Sequence, residues 1–458
     1  MEIAAPVLDA RHPGFRDKIV RELFEPAIAI LIPQLRKIHN IACWLDAAIG
    51  LVGIAAGRDD LVSLALDEPG YGLQAQLRAG LTEDSLWFEG SVHYHYFALE
   101  AALSLLLAAS RKGIRRPRAE YAVLNALDAG YRMAFSSGRF PAPNDGWPDV
   151  GLKTYAHVYD LAAAFFGPGS PADGLRAAID DATGERVEVP LTPPWYYEDR
   201  ISLERLLFAP APASVKDPAP PRQPYVLRGS CMAMLRRPGL EVYVKYGHNG
   251  PSHAHPDKMN LEVALGGGLL TRDLSNAGYG ARLCDAWHRS SPAHNTVVID
   301  GQDHVSTERG RMLWFGADRL SVRAVDVYPG VSFTRSITLT WSGFADVFDV
   351  KAATPRVMDW FFHVDGELAE IPEGLMKDGD LGYGGAYSLL EGMRQLSPRE
   401  VLELKFSVAG RIAVLRADTR GIAAFVGRSL DNPVDGRRTV VVLRARARRV
   451  RFDTEWTV

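Results

Sequence analysis

A chain of 458 residues with 47% hydrophobic and 23% charged side chains holds enough apolar material for a sizeable core, spread over two or three domains. Its formal charge of -3 argues against a nucleic-acid partner, which usually needs a strongly basic face. Cys43, Cys231 and Cys284 are odd in number and lack CxxC spacing, which speaks against a disulfide framework and a cysteine-based zinc site.

The opening segment, Met1 to Ala10, shows neither a basic n-region nor an apolar h-region. The chain as it stands therefore reads as cytoplasmic, or as periplasmic or secreted if a leader has been trimmed. Ile41, Trp44, Leu45, Ala48, Leu51 and Val52 recur at helical spacing, and Phe97 to Ala109 and Ala119 to Ala134 read as further helices. Leu103 to Ala109 is apolar but far shorter than the ~20 residues a membrane span requires, so no membrane association is expected. From Ala209 to Pro224 the composition turns Pro- and Ala-rich, like a linker. The expected organisation is a helical domain at 1–208, a linker at 209–224 and a sheet domain at 225–458. Within the last, Val331, Phe333, Ile337, Leu339 and Trp341 alternate with Ser and Thr, as in a half-buried strand. Arg444, Arg446 and Arg448 read as the solvent face of a late strand. The fold class is α+β multidomain, and paired helices in the first half would suit an α/α toroid.

Two groups of residues carry chemistry. In the helical half, His39-Asn40 and, further on, Glu89-Gly-Ser-Val-His93-Tyr94-His95-Tyr96 place a phenol between imidazoles. Such a tyrosine can donate or accept a proton once its pKa of about 10 is lowered by cations or hydrogen bonds. The same pattern also fits a helix start whose aromatic rings pack in a core. In the sheet half, His253, His255, Asp273 and His294 supply the nitrogen and oxygen donors that zinc prefers. His-x-His at a strand start would direct both imidazoles to one face. Asp273 follows a hairpin-length segment, Leu261 to Leu265 and the turn Gly266-Gly-Gly268, and so can return beside His255. The alternative is that these histidines cap turns and Asp273 caps a loop.

Taken together, the order of His39-Asn-Ile-Ala-Cys-Trp44, Asp84-Ser-Leu-Trp-Phe-Glu-Gly-Ser-Val-His-Tyr94-His95-Tyr, Pro143-Asn-Asp-Gly-Trp147, His253-Ala-His255-Pro-Asp257, Ala293-His294-Asn-Thr-Val and Asp359-Trp-Phe-Phe-His363 resembles the heparinase II/III-like family of polysaccharide lyases. The resemblance implies an N-terminal incomplete (α/α) toroid followed by a C-terminal antiparallel β-sandwich. It implies β-elimination at a uronic acid, with an acidic, uronate-containing poly- or oligosaccharide as partner. By resemblance Asn40 contacts the uronate carboxylate, Tyr94 protonates the leaving O4, His253 stands near the carboxylate, and Tyr279 matches a second tyrosine used as base. His255, Asp273 and His294 fall on zinc ligands, with Zn2+ expected to organise loops rather than activate water. His39, His95, Trp147 and Arg289 are grouped with substrate binding, Trp147 by stacking and Arg289 by charge pairing. A core indole and a surface salt bridge are the alternatives for the last two. Only 39 residues precede Asn40, fewer than the family carries, so the implied toroid is short, open on one side or completed by a second copy in a homo-oligomer. Two other functions fit the same residues: a glycoside hydrolase using Glu89 and Asp145, and a non-catalytic carbohydrate-binding protein.

Overall fold

Close packing between two apolar helices, Asn40–Ala56 and Val92–Arg111, organises the first part of the chain in a computed structural model that describes residues 5–182, 206–207, 222–250, 252–370 and 377–458. The chain divides into two compact units. The helical unit comprises Met1–Phe88, Val92–Ala134 and Val150–Pro221, and the sheet unit comprises Glu89–Ser91, Phe135–Asp149 and Arg222–Val458.

In the helical unit, the helix Asn40–Ala56 starts where His39, in extended conformation, accepts a hydrogen bond from the Ile41 amide, and it stops at Gly57, whose φ of 68° suits glycine. Gly50 lets its neighbour approach: a Cβ there would lie 2.4 Å from Leu105 Cδ1 of the helix Val92–Arg111. That second helix also packs against Pro117–Met133 and Ala156–Phe166. Among the described residues it alone is long and apolar enough to cross a membrane, yet 78% of its apolar stretch is buried inside the protein. Its Glu100 faces His157 at 3.4 Å, as befits a core helix with a polar pair inside. The three helices expected from periodicity lie within Asn40–Ala56, Val92–Arg111 and, to within a residue, Pro117–Met133.

The sheet unit stacks two antiparallel sheets. One is a five-stranded meander, Tyr225–Leu227, Met232–Arg237, Leu240–Lys245, Asn260–Leu265 and Gly268–Thr271, hydrogen-bonded in sequence order. The other has twelve strands around the long pair Gly343–Val364 and Arg437–Thr457. Ala233, Val242 and Val263 of the first sheet share one apolar core with Phe333, Phe348, Trp360 and Trp456 of the second, which makes the unit a sandwich. Val331–Thr340 alternates buried and half-buried side chains as expected. The strand stops before Trp341, which is 97% exposed.

Two expectations need correction. The last segment of the sheet unit begins at Arg222, and residues 209–221 of the expected linker lie outside those described. However, Glu89–Ser91 and Phe135–Asp149, placed by sequence in the helical domain, belong to the sheet unit. Arg444 is no solvent-facing residue either: it donates to both oxygens of buried Asp359 at 2.6 and 2.7 Å and lies over Tyr383. Arg446 and Arg448 are exposed as expected.

Candidate active site

Backbone amides of the segment Phe135–Asp149 are tied to carboxylates of the five-stranded sheet. Glu241 accepts from the Ser136 amide at 2.7 Å, and Glu262 accepts from the Ala142 amide at 2.9 Å. Each buried glutamate thereby satisfies an amide outside any ladder. Asn144, at φ 63°, donates to Gly90 O at 2.9 Å and accepts from the Lys245 ammonium at 2.5 Å. Gly90 tolerates only glycine, because its φ is 68° and a Cβ would meet Asn249 at 2.4 Å. The Asp145 amide donates to His253 O at 3.0 Å. These bonds set Glu89 and Asp145 beside the loop that carries His253 and His255.

Asp145 is fully buried and surrounded by donors. Its Oδ1 lies 2.9 Å from His255 Nε2 and 2.8 Å from Asn276 Nδ2, and its Oδ2 lies 3.1 Å from both His253 Nδ1 and the Tyr279 hydroxyl. Tyr279 Oη is also 2.9 Å from His253 Nδ1. On the other side of that ring, Nε2 is 3.7 Å from Glu89 Oε1. Arg289 approaches Asp145 at 3.8 Å and donates to Ser252 O at 3.3 Å. Burial alone would raise the Asp145 carboxyl, but the hydrogen bonds from His253 and His255 outweigh it and hold the group far below the usual carboxylate range. Tyr279 is 56% exposed while His253 is nearly buried, so the phenol is the member of the pair open to a ligand.

A second group lies behind this one. Ligand-type atoms of His255, Asp273 and His294 all fall within 4.8 Å of one another, and all three side chains are buried. His255 Nδ1 and His294 Nε2 are buried without a hydrogen-bond partner among the described residues. Two imidazole nitrogens left bare beside a carboxylate are donors that a cation such as zinc would satisfy. The carboxylate is held by Asn260 Nδ2 at 2.6 Å, the Ser275 amide at 2.9 Å and His294 Nδ1 at 3.1 Å. Burial works against ionisation of Asp273, but His294 more than compensates and keeps its carboxyl low. Asp273 follows the hairpin of Asn260–Leu265 and Gly268–Thr271, as expected. His253 and His255 stand in the loop before Asn260–Leu265 rather than at a strand start, so their orientation comes from Asp145 and not from strand alternation.

The helical unit holds His39, Asn40, Tyr94 and His95. His39 receives the Ile41 amide on Nδ1 at 3.2 Å, and its own amide donates to Gln76 at 3.0 Å. Asn40, the first residue of its helix, is buried, and Tyr94 is half-buried with its ring 5.2 Å from that of His93. His95 requires correction as a sugar contact. It is buried, its Nδ1 accepts from the Trp87 amide at 3.2 Å, and its Nε2 donates to Ala126 O at 3.0 Å. Burial lowers its pKa to about 4, as for a neutral core imidazole. Trp147, in the sheet unit, is half-buried. The residues that sequence reading left without a role at this site are Asn144, Lys245, Asn260 and Asn276. Asn144 stood inside the motif Pro143-Asn-Asp-Gly-Trp147, whereas nothing in the sequence around the other three marks them.

The chain is similar to several known proteins. Residues 224–369 match the family model described as Heparinase II/III-like, C-terminal. Over 373 residues the chain is 26% identical to an alginate lyase of Stenotrophomonas maltophilia, covering 73% of this chain and 48% of that protein. Over 424 residues it is 26% identical to an exo-oligoalginate lyase of Saccharophagus degradans, covering 80% and 54%. A solved heparan sulfate lyase from Pedobacter heparinus matches with a TM-score of 0.66 at 14% identity, over 94% of this chain and 62% of that one. A solved heparinase III matches with a TM-score of 0.67, also at 14% identity and over 94% and 62%. The chain thus spans about half the length of the curated relatives it matches. The fold is an incomplete (α/α) toroid followed by an antiparallel β-sandwich. Over residues 224–369 the chain is thus similar to the heparinase II/III-like family.

Proposed function

We propose that this protein is a lyase that cleaves uronate-containing poly- or oligosaccharides by β-elimination. The observation that carries the reading is the phenol of Tyr279, open to a ligand and hydrogen-bonded to His253 Nδ1 at 2.9 Å. Elimination needs a base at C5 and an acid at O4, and no water nucleophile. The Tyr279 oxygen, in its ionised form, takes the C5 proton, and His253 Nδ1, 2.9 Å away, supplies the N–H that holds the phenolate beforehand. The phenol so formed donates to Asp145 Oδ2 at 3.1 Å. The electron pair forms the C4–C5 double bond, the C4–O4 bond breaks, and O4 receives a proton. Tyr94 carries that last role by family resemblance, and Asn40 that of donating amide hydrogens to the uronate carboxylate, where negative charge accumulates. Arg289, partly exposed beside Asp145, is suited to an acidic sugar.

His255, Asp273 and His294 would hold zinc. Bound there, the ion would cross-link the loops that bear His253 and Tyr279, and its role in this reading is structural.

The hydrolase reading is disfavoured by Asp145. A glycosidase acid needs a raised pKa and a free face, whereas this carboxyl is held low and both its oxygens are engaged within the protein. Both relatives compared by sequence are named as alginate lyases, so oligoalginate is the first substrate to offer, followed by heparan sulfate, heparin and hyaluronan. Ultraviolet absorbance of a conjugated double bond should rise with wild-type protein. Tyr279→Phe and Tyr94→Phe should each lower that rate by ~100-fold or more, the usual scale of general acid–base catalysis. Unchanged rates in both variants would refute the residue assignment.

A further inference from the structure

We propose that Asp145 is a positioning residue that couples the cation site to the Tyr279–His253 pair, one carboxylate oxygen serving each. This rests on the function and the cation site proposed above.

An ionised carboxylate only accepts hydrogen bonds. Its Oδ1, 2.9 Å from His255 Nε2, therefore requires that nitrogen to carry the proton. The lone pair of His255 is then confined to Nδ1, the buried atom that has no partner among the described residues. Asp145 in this way selects the tautomer that a cation can use, as outer carboxylates do for metal-bound histidines. The other oxygen, Oδ2, meets His253 Nδ1 and the Tyr279 hydroxyl, both at 3.1 Å. Neither oxygen can swing to solvent, because Asp145 is wholly buried, its amide is bonded to His253 O, and Asn276 fixes Oδ1 at 2.8 Å. Because one rigid carboxylate holds both, the place of His255 in the cation site and the place of the reacting pair are tied together. The connection starts from a residue far away in sequence, on the segment Phe135–Asp149 that joins the sandwich.

The test uses the full chain with zinc alone as the probe, in competition with a chromogenic chelator, alongside kinetics on oligoalginate. Asp145→Asn offers one acceptor oxygen and one donor amide, so it can serve only one side. Its zinc affinity is expected to fall by ~10- to 100-fold, the usual cost of losing an outer-shell partner. Its kcat should fall by at least ~10-fold while KM stays within about twofold. Tyr279→Phe should retain wild-type zinc affinity while losing turnover, and His255→Ala should lose zinc. Should Asp145→Asn not fold, Asp145→Glu carries the same expectations, since its longer arm displaces both oxygens. Zinc affinity within about twofold of wild type in the folded Asp145 variant overturns the proposal. So does a zinc defect with unchanged kcat. Failure of the underlying reading would show in the wild type itself, as no zinc uptake or no unsaturated product.

Discussion

Asp46 sits on the buried side of the helix Asn40–Ala56, and neither carboxylate oxygen has a hydrogen-bond partner among the described residues. Burial, assisted by the nearby charge of Glu68, pushes its pKa up to about 9. The folded protein therefore holds a proton there that the unfolded chain releases near its ordinary value of 3.8. The associated stability is fully present below about pH 4 and is lost progressively as pH rises through about 9. Asp46→Asn removes the ionisation and should stabilise the protein at pH 8 by on the order of 3 kcal/mol, read from the urea midpoint. The gain should vanish at pH 4, and an equal effect at both pH values would contradict this account. At the same scale, sequence alone could name Tyr94 and its histidine neighbours but could not tell which side of the helix faces the interior. His95 proved to be a core group because Trp87 and Ala126 claim both its nitrogens, and such tertiary contacts leave no local signature.

Among the elements, the strands were legible where one face is buried: Val331–Thr340 follows the alternation its residues dictate. The hairpin that returns Asp273 was legible from Gly266 to Gly268. The two segments Glu89–Ser91 and Phe135–Asp149 were not, because they are held by side chains of distant strands rather than by any repeat of their own. Arg335 shows how strands and site loops are joined. Wholly buried, it donates to both oxygens of Asp346 at 2.8 and 2.6 Å, and to Met259 O and Asn295 O at 2.5 and 2.6 Å, in the loops that follow His255 and His294. Arg335→Ala leaves Asp346 charged and unpaired and should cost about 3–5 kcal/mol in denaturant unfolding. Combining Arg335→Met with Asp346→Leu should recover most of that loss. A single variant within about 1 kcal/mol of wild type would show that the pair contributes little.

For the whole molecule, the order helices-then-sheets and the family motifs conveyed the architecture. Which unit owns Asp145 depended on three-dimensional contacts that only the structure supplies. The proposed cation site would add a linkage, because a metal that binds only the folded state stabilises it by about 3–4 kcal/mol at 100 to 1,000 times its Kd. Chelation should lower the thermal midpoint of the zinc-loaded protein, and added zinc should restore it, while His294→Ala should abolish the difference. A midpoint indifferent to chelator would count against His255, Asp273 and His294 as a metal set. The most direct measurement is the mass of the paired products released from a defined uronate oligosaccharide. Elimination predicts two fragments whose masses sum to that of the substrate, with the double bond on the fragment bearing the new non-reducing end. Fragments that sum to the substrate plus one water would identify hydrolysis and contradict the account.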